Sequence, residues 1–254
     1  MQKSIFDLTG KRVLVVGGAG EIGYAIAEAF LQFGALVVIV DKDSDTPAKA
    51  RELNKTWSNC IGFTFDITDR KEVDESLKQA ASFLNGPVEV LVNAAGIQRR
   101  YPSEIFPDND WDEVISVNLT SVFLYSKKVS QDMINSGYGK IVNVSSIMSQ
   151  FGGVNIPAYA ASKGGVAQLT KAMSNDLSGR GIRINAISPG YINTSMNKAI
   201  LEDSERTEKI LNRTPLGRWG TPADLQGIAI FLASSASDFI TGAVIPVDGG
   251  YSGM

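Results

Sequence analysis

The sequence predicts an α/β fold, a doubly wound parallel sheet of seven strands with helices on both faces. Three observations predict it: seven short apolar runs, helix-period segments between most of them, and a length of 254 residues. Unbroken apolar runs are typical of strands buried on both faces. Strands that alternate with helices become parallel neighbours joined by right-handed crossovers. We therefore expect one domain over residues 1–254.

The seven apolar runs are rich in valine and isoleucine, which favour strands. They read RVLVV (12–16), LVVIV (36–40), IGFTF (61–65), VEVLV (88–92), KIVNV (140–144), IRINAI (182–187) and AVIPV (243–247). Each run is short and is predicted to be one strand of the sheet.

The segments between the runs carry helical periodicity. Apolar residues recur at three- and four-residue steps from Ile22 to Phe33 before Gly34, which predicts a helix that ends there. A helix over 68–84 is predicted from Thr68 as its cap and from carboxylates in its early turns. Two long helices are predicted over 110–133 and 157–177. The least regular stretch, 188–220, is predicted to be an excursion that covers the substrate.

Composition excludes several classes of function. The net charge of −3 and the pI near 5.2 argue against a nucleic-acid partner, which needs a basic face. No apolar run reaches 18 residues, so we expect no membrane partner. The single cysteine, Cys60, cannot form an intrachain disulfide, and we expect a cytoplasmic protein.

The chain contains no histidine. A Ser-His-Asp triad therefore cannot form, and the commonest metal ligand is absent. We expect no metal site, with a magnesium site made of carboxylates alone as the alternative. Any general acid or base must be Asp, Glu, Lys or Tyr.

The stretch VGGAGEIG (16–23) lies between the first predicted strand and the first predicted helix. Gly18, Gly20 and Gly23 fit the general dinucleotide fingerprint, in which glycines let the backbone approach a pyrophosphate at a helix N-terminus. Gly17 and Gly23 fit the ends of a second fingerprint. In that second pattern Glu21 stands where an inner glycine is expected.

Glu21 allows two interpretations. If its side chain points to solvent, its charge suits the N-terminus of the helix. If it points inward, it opposes a pyrophosphate and weakens binding. We expect the outward orientation, with Glu21 and Ile22 beside the cofactor.

Asp41 follows Gly20 by 21 residues and ends the second predicted strand. This is the spacing of the acid that binds an adenosine ribose. A carboxylate there repels a 2′-phosphate, so NAD is favoured over NADP, although Lys42 beside it weakens that preference. The alternative is a solvated charge cluster, DKDSD.

YAASK (159–163) places Tyr159 and Lys163 on one face of a predicted helix, because residues four apart are neighbours there. A nearby ammonium stabilises a phenolate and lowers the pKa of the tyrosine. In a chain without histidine, this pair is the best acid/base candidate.

Further motifs follow the predicted strands. They are NAAG (93–96), VNLTSVF with Asn118, VNVSSI with Ser146, SPGYINT (188–194) and DGGY near the C-terminus. With the glycine turn and YAASK, they give the chain, from about Gly10 to Tyr251, a close similarity to the short-chain dehydrogenase/reductase family in its single-domain, Rossmann-like form.

The resemblance implies hydride transfer between a secondary alcohol and NAD(P), in a homotetramer. It implies that Tyr159 is the general acid/base and that Lys163 lowers its pKa and binds the nicotinamide ribose. Ser146 would hold the substrate oxygen, and Asn118 would hold a water that relays protons. The other implied cofactor residues are Asp66 and Ile67 beside the adenine, Asn93, Ala94 and Gly96 along the cleft, and Pro189, Gly190, Ile192 and Thr194 at the nicotinamide end.

The loops GIQRR, SSIMSQFGG, NKAILED and RTPLGRWG resemble a narrower group, the gluconate 5-dehydrogenases and related deoxy-sugar-acid dehydrogenases. The resemblance implies a linear sugar acid as the small-molecule substrate. Substrate contacts are predicted from Arg99, Met148, Gln150 and Tyr191, besides Ser146 and Tyr159. Two alternatives stay open: a dehydrogenase of another polyol or keto sugar, and a dinucleotide-binding protein with little catalysis.

Overall fold

A computed structural model describes residues 4–254, and seven strands within them form one parallel sheet. The strands are β1 (Arg12–Val16), β2 (Leu36–Asp41), β3 (Cys60–Thr64), β4 (Val90–Asn93), β5 (Gly139–Val144), β6 (Ile182–Pro189) and β7 (Val244–Val247). Their order in the sheet is β3-β2-β1-β4-β5-β6-β7. The predicted fold class and strand number are confirmed, and each strand lies on its predicted apolar run.

Helices connect the strands. They are α1 (Glu21–Gln32), α2 (Thr46–Leu53), α3 (Arg70–Leu84), α4 (Asp108–Ile115), α5 (Ser121–Ser136), α6 (Pro157–Leu177), α7 (Lys198–Leu201), α8 (Ser204–Asn212) and α9 (Gln226–Ala233). A π-helical turn, Ser116–Thr120, joins α4 and α5 where one long helix is predicted. The sequence gives no prediction of α2, α7, α8 or α9, whose apolar repeats are short.

The predicted cap of α3 is wrong by one residue. The Asp69 carboxylate accepts hydrogen bonds from the backbone N–H groups of Lys71 at 2.7 Å and Glu72 at 3.0 Å. Thr68 donates its hydroxyl to Asp66 instead. Both residue types are good caps, and the backbone geometry selects the aspartate.

Helices cover both faces of the sheet. On one face, Ile26 and Phe30 of α1 pack with Val13 and Val37, and α9 extends this cluster. On the other face, apolar residues of α3, α5 and α6 form a second cluster that includes the fully buried Tyr125. Buried apolar area on both faces is the main stabilising contribution to such a sheet.

The order of the strands reverses between β1 and β4, which are neighbours in the sheet. In a doubly wound sheet, a crevice opens at the carboxyl ends of the strands at this point. The loops after β1, β4, β5 and β6 all leave the sheet at this edge.

The predicted excursion leaves the sheet after β6. Its base is closed by backbone hydrogen bonds from Asn193 N–H to Gly220 O at 2.8 Å and from Gly220 N–H to Tyr191 O at 2.9 Å. Residues 195–212 lie between the two ends of the excursion that these bonds join, and they are called the covering segment here. The covering segment contains a 3-10 turn, α7 and α8. Within residues 4–254, no helix has the length and apolar character needed to cross a membrane.

Candidate active site

The glycine-rich turn lies between β1 and α1, and its conformation leaves no space for a Cβ at Gly17 or at Gly23. Gly17 has φ +81°, and a Cβ there would lie 2.3 Å from the backbone nitrogen of Ala95. A Cβ on Gly23 would lie 2.2 Å from the carbonyl oxygen of Gly17. These close approaches leave an open backbone surface in front of the N-terminus of α1, which is the geometry that a pyrophosphate needs.

A first cavity of about 720 Å³ opens beside this turn. Seven of the predicted cofactor residues that line it lie on the turn, at the end of β2 and after β3: Gly17, Gly20, Glu21, Asp41, Lys42, Asp66 and Ile67. Ala94 and Gly96, after β4, line its opposite wall. Its size is within the range of ligand sites in proteins.

Asp41 is fixed at the edge of the first cavity. Its carboxylate accepts hydrogen bonds from the backbone N–H groups of Ala19 at 3.2 Å and Asp43 at 3.3 Å. Lys49 on α2 also lines the cavity; its ammonium group donates to Ala19 O at 2.8 Å and to Asp43 at 3.2 Å. The Lys42 ammonium lies 4.0 Å from the Glu113 carboxylate. Both cations therefore have an anionic neighbour.

A second cavity of about 190 Å³ continues from the first toward β5 and β6. Predicted residues that line it are Gly20, Glu21, Ile22, Gly23, Ala94, Gly96, Ser146, Tyr159, Lys163, Pro189, Gly190, Ile192 and Thr194. Because the two cavities share the wall formed by Gly20 and Gly96, an extended ligand can occupy both.

Tyr159 and Lys163 lie one turn apart near the start of α6, as predicted. The Lys163 ammonium lies 5.8 Å from the centre of the Tyr159 ring and donates a hydrogen bond to Val144 O at 2.7 Å. Only 3% of Lys163 is exposed, and burial lowers its pKa to about 8.

The pKa of Tyr159 differs from the expected direction. Burial raises it above the ordinary value, and a side-chain hydrogen bond with Ser146 opposes that rise only in part. The reason is geometric, since the Lys163 ammonium binds the carbonyl oxygen of Val144 rather than the phenol. Burial therefore outweighs the expected lowering of the Tyr159 pKa.

Ser146 and Asn118 complete the predicted catalytic set. Ser146 follows β5, and its hydroxyl accepts a hydrogen bond from Met148 N–H at 3.1 Å. Asn118 lies on the π-helical turn, where its amide oxygen accepts from Ile97 N–H at 2.8 Å and its amide nitrogen donates to Ser162 at 3.1 Å. The turn directs this fully buried amide toward Gly96, on which a Cβ would lie 3.4 Å from the Lys163 ammonium and 3.7 Å from the Asn118 oxygen.

Asn93 does not line either cavity. Its amide nitrogen donates to Ser126 at 3.1 Å and to Asn143 at 2.8 Å, behind the end of β4. Its side chain is buried and bridges two strands and α5, which explains its place in the motif by packing rather than by cofactor contact. The prediction that Asn93 lines the cleft is therefore corrected.

Glu21 is exposed, as expected, but its carboxylate is bound. One oxygen accepts hydrogen bonds from Ser195 N–H at 2.7 Å and from the Ser195 hydroxyl at 2.9 Å. Both residues line the first and second cavities. The carboxylate is thus directed to the covering segment and not to open solvent alone.

A third cavity lies on the far side of Tyr159 and Ser146, which line it together with Met148 and Tyr191. Two predicted substrate residues lie elsewhere. The Arg99 guanidinium binds Glu113 at 2.6 Å, and Gln150 is exposed outside the cavity. For Arg99 the reason is the acidic face of α4, which attracts the guanidinium away from the cavity.

Arg100 and Arg206 line the third cavity instead. Arg100 donates to Val154 O at 3.2 Å and to Gln98 at 3.1 Å, and neither arginine side chain forms an ion pair with any of residues 4–254. Burial and the charge of Arg206 together lower the pKa of Arg100. Two unpaired guanidinium groups beside one cavity form a site suited to an anion.

Comparison with known proteins agrees with this geometry. A family model described as enoyl-(acyl carrier protein) reductase matches residues 17–252. The 5-keto-D-gluconate 5-reductase of Escherichia coli K12 is 41% identical, with 97% of each chain covered. The 2-dehydro-3-deoxy-D-gluconate 5-dehydrogenase of Bacillus subtilis 168 is 40% identical and covers 97% of this chain and 96% of its own.

A crystal structure of a gluconate 5-dehydrogenase from Burkholderia cenocepacia J2315, in complex with NADP and tartrate, superposes with a TM-score of 0.93. It is 37% identical, and 98% of each chain is covered. The chain belongs to the short-chain dehydrogenase/reductase family.

The residues present in this short-chain dehydrogenase/reductase fit the nicotinamide dinucleotide that its family binds. The glycine turn can approach Ala95 and fold back on itself because Gly17 and Gly23 lack a Cβ, and Gly20 and Glu21 at the start of α1 then line both cavities. The first and second cavities together form a path from Asp41 to Tyr159. The protein is therefore an oxidoreductase whose acid/base candidates lie at one end of its cofactor path.

Three residues of this oxidoreductase escape prediction from sequence. Lys49 lies on α2, which the apolar pattern does not reveal, and Arg206 lies in the irregular stretch 188–220. Arg100 follows Arg99 in the loop GIQRR, from which only Arg99 is predicted to contact the substrate. A pair of adjacent arginines in a loop gives no signal of which one turns to the cavity.

Proposed function

We propose that this protein is a nicotinamide-dependent dehydrogenase/reductase that interconverts a secondary hydroxyl and a ketone on a gluconate-type sugar acid. The observation that carries the proposal is that Tyr159 and Ser146 line both the second and the third cavity. A substrate in the third cavity could place its reacting oxygen beside Tyr159 and Ser146. The carboxylate of the same substrate would then face Arg100 and Arg206.

The names of the relatives support a sugar-acid substrate. Keto- or deoxy-gluconates appear in the names of the two curated relatives, and both names place the reaction at carbon 5. The crystallised relative holds tartrate, which is a hydroxy acid with two carboxylates. A guanidinium can bind a carboxylate through two parallel hydrogen bonds. The Arg100 guanidinium is held in position by the hydrogen bonds that it donates to Val154 O and to the Gln98 side chain.

The proposed roles follow from position. In the reduction direction the Tyr159 phenol donates its proton to the carbonyl oxygen, and in the oxidation direction the Tyr159 phenolate takes the proton of the hydroxyl. Ser146 holds the same substrate oxygen by a hydrogen bond. Lys163 supplies positive charge beside the phenol, and Asn118 holds a relay water near Gly96. The bound nicotinamide ring supplies or accepts the hydride, and the chain supplies orientation and a dry proton-transfer site.

The proposed cofactor residues are those that line the first two cavities. They are Gly17, Gly20, Glu21, Ile22, Gly23, Asp41, Lys42, Asp66, Ile67, Ala94, Gly96, Tyr159, Lys163, Pro189, Gly190, Ile192 and Thr194. The proposed substrate residues are Arg100, Arg206, Ser146, Met148, Tyr159 and Tyr191.

We propose NAD as the preferred cofactor. Six carboxylates but only two ammonium groups, those of Lys42 and Lys49, line the first cavity. Both ammonium groups have acidic neighbours, Asp43 for Lys49 and Glu113 for Lys42. An added 2′-phosphate would meet net negative charge there. NADP is the second candidate because the crystallised relative holds it.

The proposal is tested by following absorbance of reduced nicotinamide with both cofactors. The substrates are gluconate, 5-ketogluconate, 2-keto-3-deoxygluconate and neutral polyols of equal length. We expect turnover of at least one sugar acid, at least tenfold above the polyols, with NAD the better cofactor. Tyr159→Phe should lower kcat by about a thousandfold, as expected for loss of a general acid/base.

Tyr138→Phe serves as the matched control, because it removes a phenol from a residue that lines none of the three cavities. Turnover confined to neutral polyols would replace the proposed substrate class with the polyol alternative. Wild-type turnover by Tyr159→Phe would contradict the proposed mechanism. A tenfold preference for NADP would contradict the role given to Asp41.

We also propose that the protein works in the cytoplasm as a homotetramer. The groove between α5 and α6 is lined by Leu119, Phe123, Gly165 and Leu169, and Phe123 is 41% exposed. Exposed apolar grooves of this kind suit a second copy of the same chain. Light scattering should give four times the chain mass of 27.2 kDa.

A further inference from the structure

The contact between Glu21 and Ser195 joins parts of the chain that are 174 residues apart in sequence. Glu21 is the first residue of α1 and belongs to the phosphate-binding turn. Ser195 is the first residue of the covering segment. One carboxylate oxygen accepts both the backbone N–H, at 2.7 Å, and the hydroxyl, at 2.9 Å.

This contact lies where the first two cavities meet. Gly20, Glu21, Ala94, Gly96 and Ser195 line both cavities and so surround the junction. A dinucleotide that occupies both cavities passes through this junction with its pyrophosphate. The Glu21–Ser195 contact joins two of the five residues that surround this junction.

The chemistry of the contact makes it stronger than an ordinary loop contact. Hydrogen bonds to an ionised acceptor are roughly twice as strong as those between neutral groups. The N-terminus of α1 also stabilises the charge on Glu21. A glycine at position 21, as in the second fingerprint, could form neither hydrogen bond.

We propose that Glu21 is a positioning residue which, with Ser195, forms a clasp that holds the covering segment over the dinucleotide junction. The clasp must open for the dinucleotide to enter or leave. Its main effect is to slow dissociation of the cofactor. This inference rests on the placement of the dinucleotide in the first two cavities.

Two measurements test the clasp. The first is hydrogen exchange of the Ser195 amide without cofactor, which reports on the bond itself. The second is the rate at which bound NADH is displaced, followed by its fluorescence in a stopped-flow instrument. Glu21→Ala should speed both at least fivefold, because it removes both hydrogen bonds.

Graded variants separate the bond from the charge. Glu21→Gln keeps a carbonyl oxygen that can accept both bonds but loses the charge that strengthens them, so each rate should fall between those of wild type and Glu21→Ala. Ser195→Ala keeps only the N–H donor and should fall between wild type and Glu21→Ala. Glu28→Ala removes an exposed carboxylate from the same helix and should change neither rate.

Some outcomes would overturn the clasp. One is unchanged Ser195 exchange in a folded Glu21→Ala protein. Another is NADH release from Glu21→Gln that is as fast as from Glu21→Ala, which would assign the effect to charge. If wild type binds no nicotinamide dinucleotide, the proposed function fails, while the exchange measurement alone still supports or overturns the clasp.

Discussion

At one end of the cleft, six residues within the eight-residue stretch 16–23 line the first two cavities, and three of the six are glycines that present only main-chain atoms. At the other end, the third cavity is formed by side chains from separate segments. Arg100 follows β4, Met148 follows β5, and Tyr191 and Arg206 belong to the excursion after β6. A main-chain site depends on local sequence, whereas a side-chain site depends on which distant segments meet.

The catalytic pair lies between these two ends and shares properties of both. The local spacing of Tyr159 and Lys163 places them on one face of α6. Their electrostatic state, however, is set by distant groups, since Val144 O binds the ammonium and Ser146 contacts the phenol. Spacing identified the pair, and packing determines how it titrates.

Gly23→Ala is the strongest test of the main-chain end. The added Cβ would lie 2.2 Å from Gly17 O, and backbone cannot yield as a flexible side chain can. We expect the free energy of unfolding to fall by about 3 kcal/mol, the upper end of overpacking costs. Thermal melting should show a drop of about 10 °C for a chain of this size.

The matched control is Gly20→Ala. Its Cβ would lie 3.4 Å from the same oxygen, which a small shift can accommodate. This variant should melt within about 2 °C of wild type. Equal melting of the two variants would mean that close backbone approach does not limit the turn.

Arg100→Met tests the side-chain end of the comparison. Loss of a charge-assisted bond to the substrate carboxylate should raise KM for the sugar acid about fiftyfold, or about 2.3 kcal/mol. KM for a neutral polyol should change less than about twofold, since no charge pair is lost. Steady-state kinetics with both substrates give this comparison directly.

Arg99→Met is the control because the neighbouring guanidinium binds Glu113 on α4 and lies outside the third cavity. Its KM for the sugar acid should stay close to wild type. A larger effect from Arg99→Met than from Arg100→Met would assign carboxylate binding to the residue predicted from sequence.

Lys163→Met tests the catalytic pair, which lies between the glycine turn and the third cavity. Burial lowers the pKa of Lys163 from 10.5 to about 8, which costs the folded state about 3 kcal/mol at pH 7 at 1.36 kcal/mol per pKa unit. The Lys163→Met variant also loses the hydrogen bond to Val144 O, which reduces the stability gained by about 1 kcal/mol. Denaturant unfolding without cofactor should therefore show that the free energy of unfolding of Lys163→Met is about 2 kcal/mol higher than that of wild type. The same variant should lose turnover.

The stability gained by Lys163→Met should decrease as pH rises. Between pH 8 and 10.5 the unfolded chain holds the Lys163 proton more often than the folded chain, so wild type becomes relatively more stable as pH rises. The advantage of Lys163→Met should therefore shrink across this window. Lys171→Met, an exposed lysine of α6, should show neither effect. A pH-independent advantage would assign the gain to packing.

Local patterns were sufficient for the fold and for the main-chain end of the site. Seven apolar runs became the seven strands, because an unbroken run of β-branched residues has no face to expose to water. The predicted turn residues line the first or the second cavity, and Asp41 lines the first. Asn93 lies outside it, since its motif position does not reveal that its side chain turns toward Asn143.

The sheet, the glycine turn, the pair Tyr159 and Lys163, and the family could all be predicted from the amino-acid sequence. These features depend on period, spacing and main-chain conformation, which are local properties. The folded structure was needed to show that Arg100 rather than Arg99 lines the third cavity, that Arg206 lines it too, and that Glu21 binds Ser195. Such contacts depend on which side chains from distant segments compete for the same partner, and no local pattern contains that information.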